Sequence, residues 1–187
     1  VIRAAEASDD GARSIEHLSG VMEGCSTVED QFLILARLPP GKRQEMLKDT
    51  YDQQKCEQLI SKFARNQTWQ VPTSWLFLRD RSRLRALITA DPRVKYLPSN
   101  VRAGWEQQLP RLETTPQGQE QRNRNQQERL RIIAMMHKAG VPMMAGTDVG
   151  NPFLLPGFSL HEELTTFVQA GLTPGEALKT ATYNPAR

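Results

Sequence analysis

The stretch "VPMMAGTDVGNP" (141–152) decides how the chain is read. A short apolar run ends at an acidic residue, Asp148, which is fenced by Gly146 and Gly150 and followed closely by Pro152. The run is too short for a helix and is bounded by turn residues, so 141–148 is predicted to be a strand. Asp148 then has two readings. An aspartate between glycines is a good turn former. A carboxylate at the mouth of a strand is also where an α/β enzyme places its chemistry, and flanking glycines let backbone and ligand approach closely.

The neighbouring segments support a strand between helices. Residues 120–140, "EQRNRNQQERLRIIAMMHKAG", predict a helix with a polar first half and Gly140 at its C-terminal end. After the loop "NPFLLPGF", Ser159 and Glu162 are spaced as a capping box, with Leu160, Leu164, Phe167 and Val168 as the apolar face of the helix that follows. Thr173, Pro174 and Glu176 stand where the N-cap, N1 and N3 residues of a last helix belong.

Upstream, "ARSIEHLSG" (12–20) holds a short strand-like centre that ends in Glu16–His17. Ser26 and Glu29 are again spaced as a capping box, Val28, Phe32 and Leu35 recur at helical spacing, and Pro39–Pro40 is predicted to stop that helix. A second helical stretch is predicted from about Lys42 to Ala64. "TWQVPTSWLFL" (68–78) is aromatic and branched and predicts a buried strand, with Pro72 marking a bulge or its end. From 79 to 118, prolines at 92, 98, 110 and 116 exclude one long helix, and an irregular excursion is expected.

Strands alternating with helices imply parallel pairing with right-handed crossovers, an α/β architecture. Three strands cover a parallel sheet poorly and read as part of something larger. The 187 residues suffice for one domain with a sizeable core; 39% are hydrophobic and 24% charged, a globular balance. A net charge of +3 does not argue for nucleic acid or a membrane surface, and no apolar run is long enough to span a bilayer. The arginine-rich 122–131 carries balancing glutamates and no interleaved aromatics, which reads as a solvated helix face. Cys25 and Cys56 are too few for a disulfide framework, and two free thiols are expected. The first residue is not Met and no leader is visible, so the compartment is not read from this sequence.

Two of the three predicted strands end in a metal-ligating type of residue, His17 and Asp148. Neutral imidazole and carboxylate both suit a zinc-type cation. For each, the plain reading is a hydrogen-bonded loop residue. His161, in the first turn of the helix after Asp148, is a pocket candidate or a surface histidine, and His137 near a helix C-terminus is read as structural. Tyr96 and Trp105, in the 79–118 excursion, are candidate walls of a substrate pocket, or belong to an insertion on the outside.

Taken together, "RSIEHLSG" and "AGTDVGNPFLLPGFSLHEELTTFVQAGLTPGEALKTATYNPAR" resemble the C-terminal half of an amidohydrolase-superfamily enzyme, most nearly the imidazolonepropionase-like and Xaa-Pro-dipeptidase-like group. The resemblance implies a partial (β/α)8 barrel, units six to eight, as a single domain over 1–187 without the first half of the barrel and without the β-sandwich. It implies His17 as a metal ligand ending the sixth strand. It implies Asp148 as the ligand ending the eighth, the residue that orients the hydrolytic water and moves its proton. The implied cofactor is a divalent metal, zinc, as one or two ions, and the implied substrate a small-molecule amide, dipeptide or cyclic amide. Neither nucleic acid nor membrane is an expected partner; homo-oligomerisation is left open. The family's His-x-His pair is absent, so the chain alone is expected to be inactive. The alternative is a non-catalytic α/β interaction module that keeps the scaffold.

Overall fold

The structure, a computed structural model, describes residues 2–34 and 38–187. β1 (Ser14–Glu16) and β2 (Trp69–Val71) pair in parallel, with Ser14 opposite Trp69, Ile15 opposite Gln70 and Glu16 opposite Val71. The ladder is extended at both ends, by Trp69 N–H donating to Arg13 O and His17 N–H donating to Val71 O, each at 2.9 Å. β2 is short because Pro72 follows it and brings no N–H to continue the ladder.

The third segment, 141–148, does not become a strand. It touches β2 through one parallel bridge, Gln70 to Met143, with Gln70 N–H donating to Pro142 O (2.9 Å) and Met144 N–H donating to Gln70 O (3.0 Å). Pro142 has no N–H to give, and Ala145 N–H turns away to Thr180 O at 2.9 Å. The chain therefore leaves the sheet just after Met144. Among the described residues the result is a mostly helical domain around one two-stranded parallel sheet. The expectation of a partial (β/α)8 barrel, units six to eight, is overturned by this, because two three-residue strands and a single bridge are not a barrel wall.

Helices surround the sheet. α1 (Ala4–Asp9), α2 (Val21–Gly24) and α3 (Glu29–Ile34) precede α4 (Pro40–Asp49) and α5 (Gln53–Asn66). Ser26 accepts from Val28 N–H, and α3 starts at Glu29 itself, so the spacing of Ser26 and Glu29 does not make a capping box. Leu35 lies outside the described residues. Pro39–Pro40 opens a helix instead of stopping one: Pro40 takes the N1 position of α4, where its missing N–H is no loss. The stretch 42–64 is two helices, because 25–27 and 50–52 pair across the break. Thr27 N–H donates to Thr50 O at 2.9 Å, Asp52 N–H donates to Cys25 O at 2.8 Å, and the Asp52 side chain then caps α5 by accepting from Lys55 N–H.

That pairing sets Cys25 one turn from Cys56, Cα to Cα 4.2 Å, and the two form a disulfide. The expectation of two free thiols is thereby corrected. Both residues are fully buried, and their separation of 31 in sequence hid the contact.

After β2 come α6 (Ser74–Leu78), a 3-10 turn at Arg81–Arg83, α7 (Leu84–Ala90), a second 3-10 turn at Pro92–Tyr96 and α8 (Ser99–Leu112). The stretch 79–118 is thus folded, and its prolines divide it: Pro92 and Pro116 sit in first turns, Pro98 is an N-cap and Pro110 lies in a last turn. α9 (Pro116–Lys138) ends at Ala139, with Gly140 following at φ 73°. α10 (Phe158–Gln169) starts from Gly157 at φ 78°, so Ser159 is not its cap; α11 (Pro174–Ala181) has the Thr173–Glu176 capping box its sequence predicts.

Two cores result. One gathers Ile15 of β1, Leu59, Ile60 and Phe63 of α5, Ile132, Ile133 and Met136 of α9, Phe167 of α10 and Ala177 of α11. The other gathers Leu84, Ile88, Val94, Trp105 and Leu109 with Phe153 and Leu155 of the loop after Asp148. Each large side chain so buried stabilises by about 1.5–3 kcal/mol.

Candidate active site

Three chain segments run side by side through β1, β2 and Met143, and each leaves the sheet at the same end. His17 follows β1, Thr73 stands two residues beyond β2, and Asp148 closes the third segment. His17 (φ 64°), Leu18 (55°), Thr73 (46°) and Asp148 (55°) all hold left-handed backbone conformations. For non-glycine residues, and above all for β-branched Thr73, this conformation costs about 1–3 kcal/mol each. Strain of this kind collects where backbone must present side chains at fixed angles.

His17 Nε2 lies 3.9 Å from Asp148 Oδ2, with both side chains about 40% exposed. His17 Nδ1 is 2.8 Å from Thr73 Oγ1, and the Thr73 hydroxyl donates its single proton to Pro72 O at 2.8 Å. The hydroxyl is then the acceptor from Nδ1–H, which leaves the Nε2 lone pair facing the Asp148 carboxylate. Two electron-rich atoms facing each other call for a cation or a proton between them. Asn151 Nδ2 steadies the carboxylate, donating to Asp148 Oδ2 at 2.7 Å and to its backbone O at 3.0 Å. Asp148 is therefore both a turn residue and a presented carboxylate.

Two further charged side chains, Arg129 and Glu163, hold the backbone at this edge. Arg129 of α9 donates through Nη2 to His17 O (3.0 Å) and Pro72 O (3.1 Å), and its guanidinium lies 4.1 Å from the Phe77 ring centre. Glu163 of α10, fully buried, accepts from Ser74 N–H (2.8 Å) and Trp75 N–H (2.6 Å) at the start of α6. Burial pushes the Glu163 carboxyl up to about 7, against those two bonds and the charge of Arg129. Burial pushes the Arg129 guanidinium down to about 10. The reading of 122–131 as a solvated face is corrected for Arg129, and for Arg122, which donates to Phe77 O at 3.2 Å.

Thr73, Arg129 and Glu163 were not singled out in the sequence, yet two of them left a signal. Arg129 lies on the helical stripe of Ile132, Ile133 and Met136, and Glu163 on that of Leu160 and Phe167. A charge on an apolar stripe is a buried charge with a partner. Thr73 left none, since its role depends on where Pro72 ends β2.

The remaining predicted residues stand elsewhere. His161, exposed in α10, lines a cavity of about 490 Å3 with Trp75, Arg93, Phe158 and Glu162. Tyr96 is 68% exposed and packs on Phe158, ring centres 5.9 Å apart. Trp105 is buried in the second core against Phe153, 5.2 Å between ring centres. Among the described residues, no hydrogen bond or ring contact joins these three to His17 or Asp148. His137 faces Glu176, Nε2 to Oε1 3.6 Å, in keeping with a structural role.

His17 and Asp148 suit a divalent cation in kind and in spacing. Their 3.9 Å separation is less than the sum of two metal–ligand bonds of about 2.0–2.2 Å each, so both atoms can reach one ion. A hydrolytic centre needs a third protein ligand, and among the described residues no group of three or more His, Cys, Asp or Glu side chains is placed to hold a metal.

The fold of the chain is similar to that of an amidohydrolase. The solved structure of bottromycin amidohydrolase superposes on it with a TM-score of 0.67 at 28% sequence identity, over 97% of this chain and 37% of that one. The chain thus spans little more than a third of that enzyme's length. No protein-family model matches the chain, and no curated protein matches it.

Proposed function

We propose that the chain carries part of the active site of a metal-dependent hydrolase that cleaves a C–N bond in an amide, dipeptide or cyclic amide. The observation that carries this is the approach of His17 and Asp148 at one end of the parallel segments, His17 Nε2 with its lone pair toward the carboxylate. The similarity to an amidohydrolase, at 28% identity over nearly the whole chain, supports the same reading. His17 and Asp148 would hold a divalent cation, zinc by the chemistry of the donor set. When bound, such an ion supplies hydroxide at neutral pH and polarises the carbonyl.

The chain's own residues do the rest. Thr73 fixes the His17 ring and its tautomer, as an outer partner does for a ligating imidazole. Arg129 holds the His17 and Pro72 carbonyls, which keeps the two left-handed turns in place. Asp148 orients the attacking water, takes its proton and passes it to the leaving nitrogen. Asn151 holds the carboxylate in the rotamer this requires. The third ligand has to come from outside the described residues, so residues 1–187 alone are expected to show no amidase turnover.

The test is hydrolysis of dipeptides and cyclic amides by the active enzyme, wild type against Asp148→Asn, at saturating zinc. A fall in kcat of about 10²–10⁴ supports Asp148 as the proton carrier. Activity near wild type would leave Asp148 as a turn residue only, since Asn serves that role nearly as well.

A further inference from the structure

Three arginines cluster at the end of α6 without an acidic partner. Arg79, Arg81 and Arg122 each carry a buried Nε with no hydrogen-bond partner. Among the described residues none of the three is within ion-pair distance of a carboxylate, although Asp80 lies between two of them in sequence. Asp80 is turned to Arg83, Oδ2 to Nε 3.3 Å. Arg79 is the most enclosed, at 4% exposed. Its Nη1 donates to Leu76 O, and Arg122 Nη2 donates to Phe77 O, so two of the guanidinia cap the last carbonyls of α6. That capping uses one N–H of each and leaves the Nε donors unanswered. A buried donor without a partner is costly, and three like charges repel besides. Burial, and after it the charges of Arg81 and Arg122, push the Arg79 guanidinium down to about 10.

Arg79 also lines a cavity of about 520 Å3. Trp75, Leu84, Leu87, Phe153 and Leu155 form its apolar walls. The other charged side chains on its lining, Arg83, Arg93, Asp80, Asp91 and Glu162, are paired with one another. Arg93 is held by Asp91 and Glu162, each at 2.7 Å, and Arg83 by Asp80. The lining as a whole is neutral, and among the described residues Arg79 is its one charge without an ion-pair partner. A cavity with an apolar body and one unanswered guanidinium matches a ligand with an apolar body and one oxyanion.

We propose that this cavity binds a small anionic molecule, its carboxylate or phosphate group held by Arg79 in the positive field of Arg81 and Arg122, and its apolar part against Trp75, Leu84 and Phe153. Guanidinium forks bind both groups bidentately. This site is separate from the His17–Asp148 edge and does not rest on the hydrolase reading.

The test is calorimetric titration of benzoate and, separately, of inorganic phosphate into the protein, with chloride holding ionic strength constant. Saturable binding of either anion to the wild type is expected, the preferred one identifying the oxyanion. Arg79→Gln should weaken it at least tenfold, and Arg122→Gln should weaken it less. Arg124→Gln, an exposed arginine of α9 paired with Glu120, should leave it unchanged. If neither anion saturates the folded wild type, or if Arg79→Gln binds as the wild type does, the proposal is wrong. Should Arg79→Gln fail to fold, the wild-type titration and Arg122→Gln still decide.

Discussion

His17 Nδ1 and Thr73 Oγ1, 2.8 Å apart, tie the ends of β1 and β2 together, and the Nε2 of the same ring is left facing Asp148. One hydroxyl thus fixes the tautomer of the histidine and the direction of its lone pair. The two sides of this relation respond differently to substitution. His17→Asn should act through lost cation affinity, so excess zinc partly restores activity. Asp148→Asn should not be restored by zinc, because the proton acceptor is gone. Steady-state kinetics across a zinc series separates the two, and equal rescue of both variants would count against separate roles.

Gly146 lies close against the Val71 side chain of β2. A Cβ there would lie 2.5 Å from Val71 Cγ1. Gly146→Ala should destabilise by about 1–3 kcal/mol through overpacking. Gly175 in α11 has open space, and Gly175→Ala should gain roughly 0.5–1 kcal/mol. Urea unfolding of both variants checks the contrast. Equal effects would mean that Gly146 is not a close approach.

The buried Glu163 makes a pH prediction. Its carboxyl stands at about 7 in the folded chain, above the ordinary 4.5. Between those values the folded state keeps a proton that the unfolded state has released. The contribution to stability is therefore full below pH 4.5, falls as pH rises from 4.5 to 7, and is lost above that window. Glu163→Gln keeps one acceptor for the start of α6 and removes the titration. The difference in unfolding free energy between wild type and variant, followed from about pH 4 to pH 8, should change through the window and flatten at both ends. A difference independent of pH would show that Glu163 does not titrate there.

The Cys25–Cys56 disulfide closes a loop between residues 31 apart in sequence. Reduction should lower stability by about 3–4 kcal/mol on the chain-entropy account. Calorimetric scans with and without a reductant test this, and an unchanged midpoint would exclude the bond as a stabilising link.

The nearness of His17 to Asp148 was legible because its signal is local: each ends a short strand-like run. The Thr173–Glu176 cap and Gly140 were legible for the same reason. What was not legible depended on distant pairing. The 141–148 run has a strand's composition, but Ala145 finds its partner in Thr180 of α11, and the sheet stops at two strands. The prolines of 79–118 correctly exclude one helix, yet they start several, because a first-turn proline gives up a hydrogen bond the helix never makes. Cys25 meets Cys56 because 25–27 pairs with 50–52, a contact no spacing announces. Arg129 and Glu163 were hidden by the habit of reading charge as surface; their place on apolar stripes was the better guide.

The most direct test is calorimetric titration of zinc into the wild-type chain, His17→Ala and Asp148→Asn, after stripping with a chelator. The account predicts saturable binding of one ion to the wild type, lost in His17→Ala and weakened in Asp148→Asn. It would be contradicted by zinc binding that is absent from the folded wild type, or that is unchanged by both substitutions.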